Sequence, residues 1–458
     1  MKWSKYNHLF RSKRHGWLLY NSAANTFAQI DDAVYPEIVK IQKDSDAHDF
    51  GSDVGLYFQL RDSGVLVEER GDEVFRNVLK MLRLQNNYDT SQLMLTIAPT
   101  RACNFDCAYC YEQARQPVYM SDKTEDAVVD FITSRRKTLK RLLLTWYGGE
   151  PLLCLPRLCS LTERIKALDL PFEALLVTNG YLLDDAVIDK LKELKISRIQ
   201  VTIDGDEATH NTRRPLKGGG ATYQKVLRNT EALLRRWEGT LLLRVNIDRT
   251  NKALYPAVHK QLQERFSRIK GKARVSIYPG IVHDHHDSHP DVSCLLDRDE
   301  EARFAVEGYY EHGLQDLGTF PGRSYGGCIA CRKNGYVVGP EGELYKCWDD
   351  FGIPERRIGS VHKEETWNMA LVADYLVGSS YLDDPECSAC FFLPVCDGGC
   401  PRVRLNNQLG RSKTNVCLKF KGHLEDLLEI YYEQKEKATG PNKTSDAAPT
   451  APEPGAPR

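Results

Sequence analysis

Leu93-Met94-Leu95-Thr96-Ile97-Ala98-Pro99-Thr100-Arg101-Ala102-Cys103-Asn104-Phe105-Asp106-Cys107-Ala108-Tyr109-Cys110 reads as a short apolar strand followed at once by three thiols spaced C-x3-C-x2-C. Soft sulfur ligands suit iron. Three of them on one short loop can hold three irons of a cubic [4Fe-4S] cluster and leave the fourth iron open to a small molecule. Zinc would more usually show C-x2-C pairs and a fourth ligand. A second strand-like run, Arg141 to Trp146, leads into Tyr147-Gly148-Gly149-Glu150-Pro151. Its two glycines let backbone approach a ligand, and Glu150 can accept from an ammonium.

Outward from these motifs the chain alternates. Strand-like runs at 93–97, 142–146, 172–178, 198–203, 241–247 and 274–278 are separated by helical runs such as 124–134 and 184–194. Six such units predict an α/β parallel barrel, closed or partial, with Asp122 and Glu125 at capping-box spacing on the first helix. Chemistry then gathers at the strand carboxyl ends, where the thiol loop, the Gly-Gly-Glu turn, Thr178-Asn179-Gly180 and Asp204 all fall. Thr202 and Asp204 on the fourth strand and Asn246 on the fifth are candidate cofactor or substrate contacts. Turn capping by Asp204 before Gly205 is the competing account. Arg213 is placed to meet a carboxylate.

A chain of 458 residues is too long for one ordinary core and predicts two to four domains. A formal charge of −1 supplies no basic field for nucleic acid. No run approaches the roughly 18 to 20 apolar residues that cross a bilayer, and the start is polar, so no membrane partner and a cytoplasmic setting are expected. Of fourteen cysteines, Cys154, Cys159 and Cys294 stand outside spaced groups and read as structural thiols. Within 1–90, a hairpin (16–20 with 26–30), short helices near 33–41 and 50–63, a strand at 64–67 and a linker helix from Asp72 compose a small winged-helix-like module. A packing extension without a ligand is the alternative. Residues 281–325 bridge, with a histidine-rich stretch at 283–289 read as solvated linker. The segment 433–458 reads as a disordered tail.

The remaining eight thiols, Cys328, Cys331, Cys347, Cys387, Cys390, Cys396, Cys400 and Cys417, are the complement for two fully ligated [4Fe-4S] clusters, with two zinc sites the nearest alternative. Their pairing does not follow from spacing.

The thiol loop, the Gly-Gly-Glu turn, the fourth-strand segment Gln200 to Gly205, and Gly342-x4-Cys347 with C-x2-C-x5-C-x3-C over 387–400 and Cys417 together resemble the radical S-adenosylmethionine enzymes with a SPASM domain. Within that group the chain resembles the maturases of ribosomally synthesised peptides. The resemblance implies a partial (β/α)6 TIM-like barrel over 91–280. An N-terminal winged-helix-like peptide-recognition module with its linker helix would occupy 1–90, and a C-terminal SPASM domain with two auxiliary iron-sulfur clusters 326–432. It implies S-adenosyl-L-methionine and three [4Fe-4S] clusters as cofactors. Cys103, Cys107 and Cys110 would hold the catalytic cluster, and Gly148, Gly149 and Glu150 the methionine amino group. Thr202, Asp204 and Asn246 would contact the cofactor. Cys328, Cys331, Cys347 and Cys400 would hold the nearer auxiliary cluster, and Cys387, Cys390, Cys396 and Cys417 the outer one.

The implied activity is reductive cleavage of the cofactor and hydrogen abstraction by a 5'-deoxyadenosyl radical from a short ribosomal precursor peptide bearing a leader segment. The expected product is an oxidative crosslink: a thioether, C-C or C-O bond. The expected electron donor is a low-potential carrier such as flavodoxin or ferredoxin. Sulfatase-type formylglycine maturases carry glutamine where this chain has Tyr147 and aspartate where it has Trp348. Asp349 and Asp350 lie just beyond as candidate bases. The alternatives are a sulfatase-type maturase, a maturase that crosslinks a protein subunit, and a non-enzymatic iron-sulfur electron carrier. The carrier would need neither an open-iron loop nor the Gly-Gly-Glu turn.

Overall fold

The six apolar runs become six adjacent parallel strands, each followed by a connection long enough to carry the chain back along the sheet. The computed structural model describes residues 1–51, 53–110, 112, 117–283, 292–323, 327–362 and 366–439. In it the strands are β1 (Gln92–Ile97), β2 (Arg141–Trp146), β3 (Phe172–Thr178), β4 (Ile196–Ile203), β5 (Thr240–Ile247) and β6 (Arg274–Ile281), paired in sequence order. The connections carry α1 (Asp122–Thr133), α2 (Leu155–Lys166), α3 (Asp185–Lys190), α4 (Tyr223–Arg236) and α5 (Tyr255–Ser267).

Leu93, Ile97, Ile199, Val201, Ile203, Leu241, Leu243 and Ile247 are all fully buried. Each such side chain stabilises the fold by about 1.5–3 kcal/mol relative to exposure. Parallel registry sets Arg244 of β5 beside Thr202 of β4 and Tyr278 of β6, so polar side chains share one face near the strand carboxyl ends.

The sheet does not stop at six strands. β7 (Gly335–Val338) lies parallel beside β1, and β8 (Glu343–Tyr345) and β9 (Gly359–Ser360) extend it antiparallel. These strands are two to four residues long. Runs that short carry no readable period within thiol-rich sequence.

The expected capping box on α1 is not formed. Ser121, one residue earlier, is the cap, and its hydroxyl accepts the Thr124 N–H at 3.2 Å. Glu125 is buried and paired instead with Arg157 and Arg164 of the next helix. A tertiary ion pair thus takes the carboxylate that local spacing assigned to the helix end.

The chain divides into two compact units. One comprises Tyr88–Asp297 and Ile329–Gly378 and holds this sheet; the other comprises Met1–Asn87, Arg298–Cys328 and the residues from Ser379 onward. The stretch 326–432, expected as one domain, is therefore shared between them. In the second unit a three-stranded antiparallel sheet (Asn7–Ser12, Gly16–Asn21, Thr26–Ile30) contains the expected hairpin. Helices Tyr35–Lys43, Val54–Asp62 and Gly71–Tyr88 follow, and Leu66–Val67 pairs with Lys2–Trp3.

The helix Gly71–Tyr88 does more than link: its Leu79 packs in one buried cluster with Tyr6, Tyr381 and Leu393. Helix Leu424–Thr439 runs past Tyr432, where the tail was expected to begin, and Glu433 is held there by Arg14, His15 and the Tyr309 and Tyr310 hydroxyls. Residues 440–458 lie outside the described residues, as does the histidine-rich stretch beyond His283. No described helix is long and apolar enough to cross a membrane.

Candidate active site

The thiol loop leaves the end of β1 and is clamped along both sides. On one side the Gly149 and Glu150 N–H groups donate to the Thr100 and Ala102 carbonyls at 3.3 and 2.8 Å. On the other, residues 104–108 run against 213–217: Asp106 N–H to Pro215 O at 2.9 Å, Ala108 N–H to Arg213 O at 3.3 Å, and Lys217 N–H to Asn104 O at 2.8 Å. The Asn179 amide at the end of β3 donates to the Asn104 side chain at 2.7 Å.

The glycines are required by contact. A Cβ on Gly149 would sit 2.2 Å from the Ala102 carbonyl oxygen, and one on Gly148, at φ +118°, would sit 2.5 Å from Thr100 O. The loop backbone and the Gly-Gly turn therefore meet with no room for a side chain.

Cys103 and Cys107 are half-buried and Cys110 is exposed. The Cys103 sulfur accepts the Phe105 N–H at 3.4 Å. Burial, and then the nearby Glu150 carboxylate, push the Cys103 thiol up to about 12. A cationic metal cluster would reverse that penalty by binding the thiolate.

Glu150 is fully buried. It accepts from Leu152 N–H at 3.0 Å and Thr178 Oγ1 at 2.8 Å on one oxygen, and from Asn179 N–H at 2.8 Å on the other. Burial still raises its pKa above the ordinary carboxylate value, against those three donors. Those three donors fill three of a carboxylate's roughly four acceptor positions.

Asp204, Thr202 and Asn246 divide differently from expectation. Asp204 does not cap its turn; Asp206 caps the following helix, accepting the Thr209 N–H at 2.9 Å. The Asp204 carboxylate is fully buried, 3.2 Å from Arg213 Nε and 3.8 Å from Arg214 Nη1. Arg213 also holds Asp248 at 2.8 Å, so the carboxylates it meets belong to the chain itself. Asn246 accepts from Arg244 Nε at 2.7 Å and donates to the Tyr109 hydroxyl at 3.0 Å. Thr202 is 8% exposed on the same face of the sheet as Arg244.

Tyr109 and Arg214 were not singled out from sequence. The Arg214 guanidinium donates to the Tyr109 hydroxyl at 2.5 Å, tying the thiol loop to the ends of β4 and β5. The sequence signal was the aromatic residue between the second and third thiols.

His210 belongs to the same network. Its Nδ1 accepts the Asp204 N–H at 3.2 Å within a fully buried setting. Burial, then the Arg214 charge, lower its pKa from 6.5 to about 3. The fold therefore holds His210 neutral. Its contribution to stability is complete above the unfolded pKa and is lost as pH falls from about 6.5 toward about 3, by about 1.4 kcal/mol per pH unit. Thermal unfolding followed between about pH 6.5 and pH 4.5 should show this decline, and His210→Gln should flatten it.

The two positions that distinguish this chain from the sulfatase-type pattern touch each other. The Tyr147 and Trp348 rings lie 4.7 Å apart between centroids at 55°. Tyr147 is buried, and burial first, then Asp349, raises its hydroxyl pKa well above the ordinary value. Asp350 is fully buried and accepts from the Tyr375 hydroxyl, a structural bond.

In the other unit, Cys387, Cys390, Cys396 and Cys417 line a single pocket together with Tyr381, Arg404 and Lys421. Every one of these sulfurs has an N–H donor: Phe392 N to Cys390 (3.4 Å), Gly398 N to Cys396 (3.3 Å), Arg404 to Cys387 (3.7 Å) and Lys421 to Cys417 (3.8 Å). Four thiols lining one pocket, each with an N–H group directed at its sulfur, suit an iron-sulfur cube. Burial raises Cys396 to about 11, a setting that favours a cationic core over bare thiolates. Of the remaining four, Cys328 and Cys400 belong to this unit and Cys331 and Cys347 to the sheet-bearing unit.

Residues 97–253 match the family described as Radical SAM superfamily. The chain is 26% identical over 333 residues to a serine-type anaerobic sulfatase-maturating enzyme of Klebsiella aerogenes, covering 68% of this chain and 79% of that enzyme. In fold it is similar to native anSMEcpe with bound AdoMet and Cp18Cys peptide, with a TM-score of 0.56 at 19% identity over 75% of this chain and 98% of that one. It is likewise similar to Streptococcus suis SuiB bound to precursor peptide SuiA, with a TM-score of 0.52 at 13% identity over 91% of this chain and 98% of that one. With the clamped three-thiol loop and the Gly-Gly-Glu turn at the carboxyl ends of a parallel sheet, residues 97–253 form a Radical SAM domain, and the chain is an enzyme.

Proposed function

We propose that this enzyme is a peptide maturase that installs an oxidative crosslink, a thioether, C-C or C-O bond, within a ribosomally made precursor peptide. The observation that carries the reading is the Tyr147–Trp348 contact. Two departures from the sulfatase-type pattern, remote in sequence, form one aromatic pair in the sheet-bearing unit. Such a pair offers a target side chain an apolar wall rather than amide and carboxylate groups. Further support comes from coverage: the likeness to the peptide-bound SuiB structure spans 91% of this chain, against 75% for anSMEcpe.

When bound, the reduced cluster and S-adenosyl-L-methionine supply a 5'-deoxyadenosyl radical able to take hydrogen from an unactivated carbon. Cys103, Cys107 and Cys110 would hold the cluster. Glu150 would accept from the cofactor's ammonium through its remaining acceptor position, and Thr202 and Asn246 face the same end of the sheet. Asp204 acts one step removed, by fixing Arg213 and Arg214 and through them the loop. We assign Cys387, Cys390, Cys396 and Cys417 to the outer auxiliary cluster and Cys328, Cys331, Cys347 and Cys400 to the nearer one, giving about twelve irons per chain. Fully thiol-ligated auxiliary clusters suit electron transfer and hence net oxidation. A flavodoxin or ferredoxin would supply low-potential electrons. The N-terminal sheet and helices would grip the peptide's leader, by strand addition at a free sheet edge.

The test is mass spectrometry of the small peptide encoded beside the enzyme after co-expression. Loss of about two mass units supports crosslinking, since one new bond removes two hydrogens. Unchanged mass with solvent deuterium incorporated would refute it in favour of epimerisation. The curated relatives favour a second reading: conversion of serine or cysteine to formylglycine in a sulfatase peptide would establish that activity instead.

A further inference from the structure

Two of the four sulfurs at the outer cavity are met by cations, and the two cations differ in setting. Arg404 is 7% exposed, lines the cavity, and places Nη1 3.7 Å from Cys387 Sγ. Its Nη1 is also 3.5 Å from the Gly398 carbonyl, and its Nη2 is 3.0 Å from Asp384. Asp384 in turn accepts the N–H groups of Glu386 and Cys387, so the guanidinium is braced against the turn that carries Cys387. Arg404 Nε is buried with no hydrogen-bond partner among the described residues. Lys421 is exposed and reaches Cys417 Sγ at 3.8 Å.

A [4Fe-4S] core with four thiolates carries a net charge of about −2 when oxidised and about −3 when reduced by one electron. Among packed side chains the added negative charge is less well solvated than in water, so neighbouring cations favour the reduced state and raise the potential. Asp384 offsets part of the Arg404 charge. Burial nonetheless makes Arg404 the stronger influence, since water and salt screen Lys421.

We propose that Arg404 and Lys421 are positioning residues that set the reduction potential of the cluster held by Cys387, Cys390, Cys396 and Cys417, with Arg404 dominant. This rests on the assignment of a cluster to those four thiols. The test is a dithionite titration of the anaerobically reconstituted full-length chain, followed by electron paramagnetic resonance, with iron content measured alongside. The signal lost in Cys417→Ala identifies the cluster. In Arg404→Met its midpoint should move negative by about 59 mV, a tenfold change in a one-electron equilibrium. Lys421→Met should move it less in the same direction, and Arg404→Lys should restore most of the loss.

If all clusters load and neither Met variant moves that midpoint, the proposal is overturned while the cluster assignment stands. If Cys417→Ala removes neither iron nor any signal, the assignment itself fails and the proposal with it. Should Arg404→Met fail to retain iron, the exposed Lys421→Met variant decides by the presence or absence of its smaller shift.

Discussion

Alanine in place of Cys103, Cys107 or Cys110 should reduce 5'-deoxyadenosine formation to background and lower the iron content by about four per chain, because in the proposed assignment these three thiolates are the whole protein ligation of the open cube. The expectation is strong because the loop is held independently of metal. Its backbone bonds to Gly149 and Glu150 on one side, and to Arg213, Pro215 and Lys217 on the other, involve none of the three sulfurs. The variants should therefore remain folded, with unfolding temperatures near that of the unsubstituted chain, and the loss will read on chemistry alone. Retained cofactor cleavage by any one of them would remove the central assignment.

Gly149→Ala should be nearly as damaging without touching a ligand. The new methyl group would lie 2.2 Å from the Ala102 carbonyl oxygen and 2.7 Å from that of Arg101. Both are backbone atoms of the segment leading into Cys103, so no side chain can swing aside. Overpacking of this kind costs about 1–3 kcal/mol. If the loop absorbs it, affinity for S-adenosyl-L-methionine falls by about tenfold to a hundredfold. Equilibrium dialysis of the reconstituted enzyme with labelled cofactor measures this directly. Unchanged affinity with full iron content would mean that the close approach of turn and loop does not position the cofactor.

The parallel strands were legible because each is a nearly continuous apolar run, and the thiol loop because ligand spacing is a local property. What escaped was non-local. Ser121 and Asp122 are both good capping residues, and only the arginines on α2, which claim Glu125, decide between them. Asp204 and Arg213 looked like groups awaiting a ligand, yet they pair with each other, and only the fold brings Arg214 to within 3.8 Å of the same carboxylate. Tyr147 and Trp348 could be noticed singly as departures from a pattern, but their contact spans some two hundred positions and required the fold. Spacing alone left the pairing of the other eight thiols open, and that Cys387, Cys390, Cys396 and Cys417 line one pocket is a property of the fold.

The burial of Leu79 against Tyr381 and Leu393 bears on how the first ninety or so residues can be studied. Arg83 of the same helix also donates to the Cys396 carbonyl at 2.8 Å. Excising that region would strip a hydrophobic wall from the very turns that present sulfur to the outer cavity. Under the proposed assignment of a cluster to those thiols and of leader binding to this region, a shortened enzyme would shed metal along with its grip on the peptide, and the two defects would be inseparable. Separating recognition from cofactor retention calls for surface substitutions on the small antiparallel sheet rather than truncation.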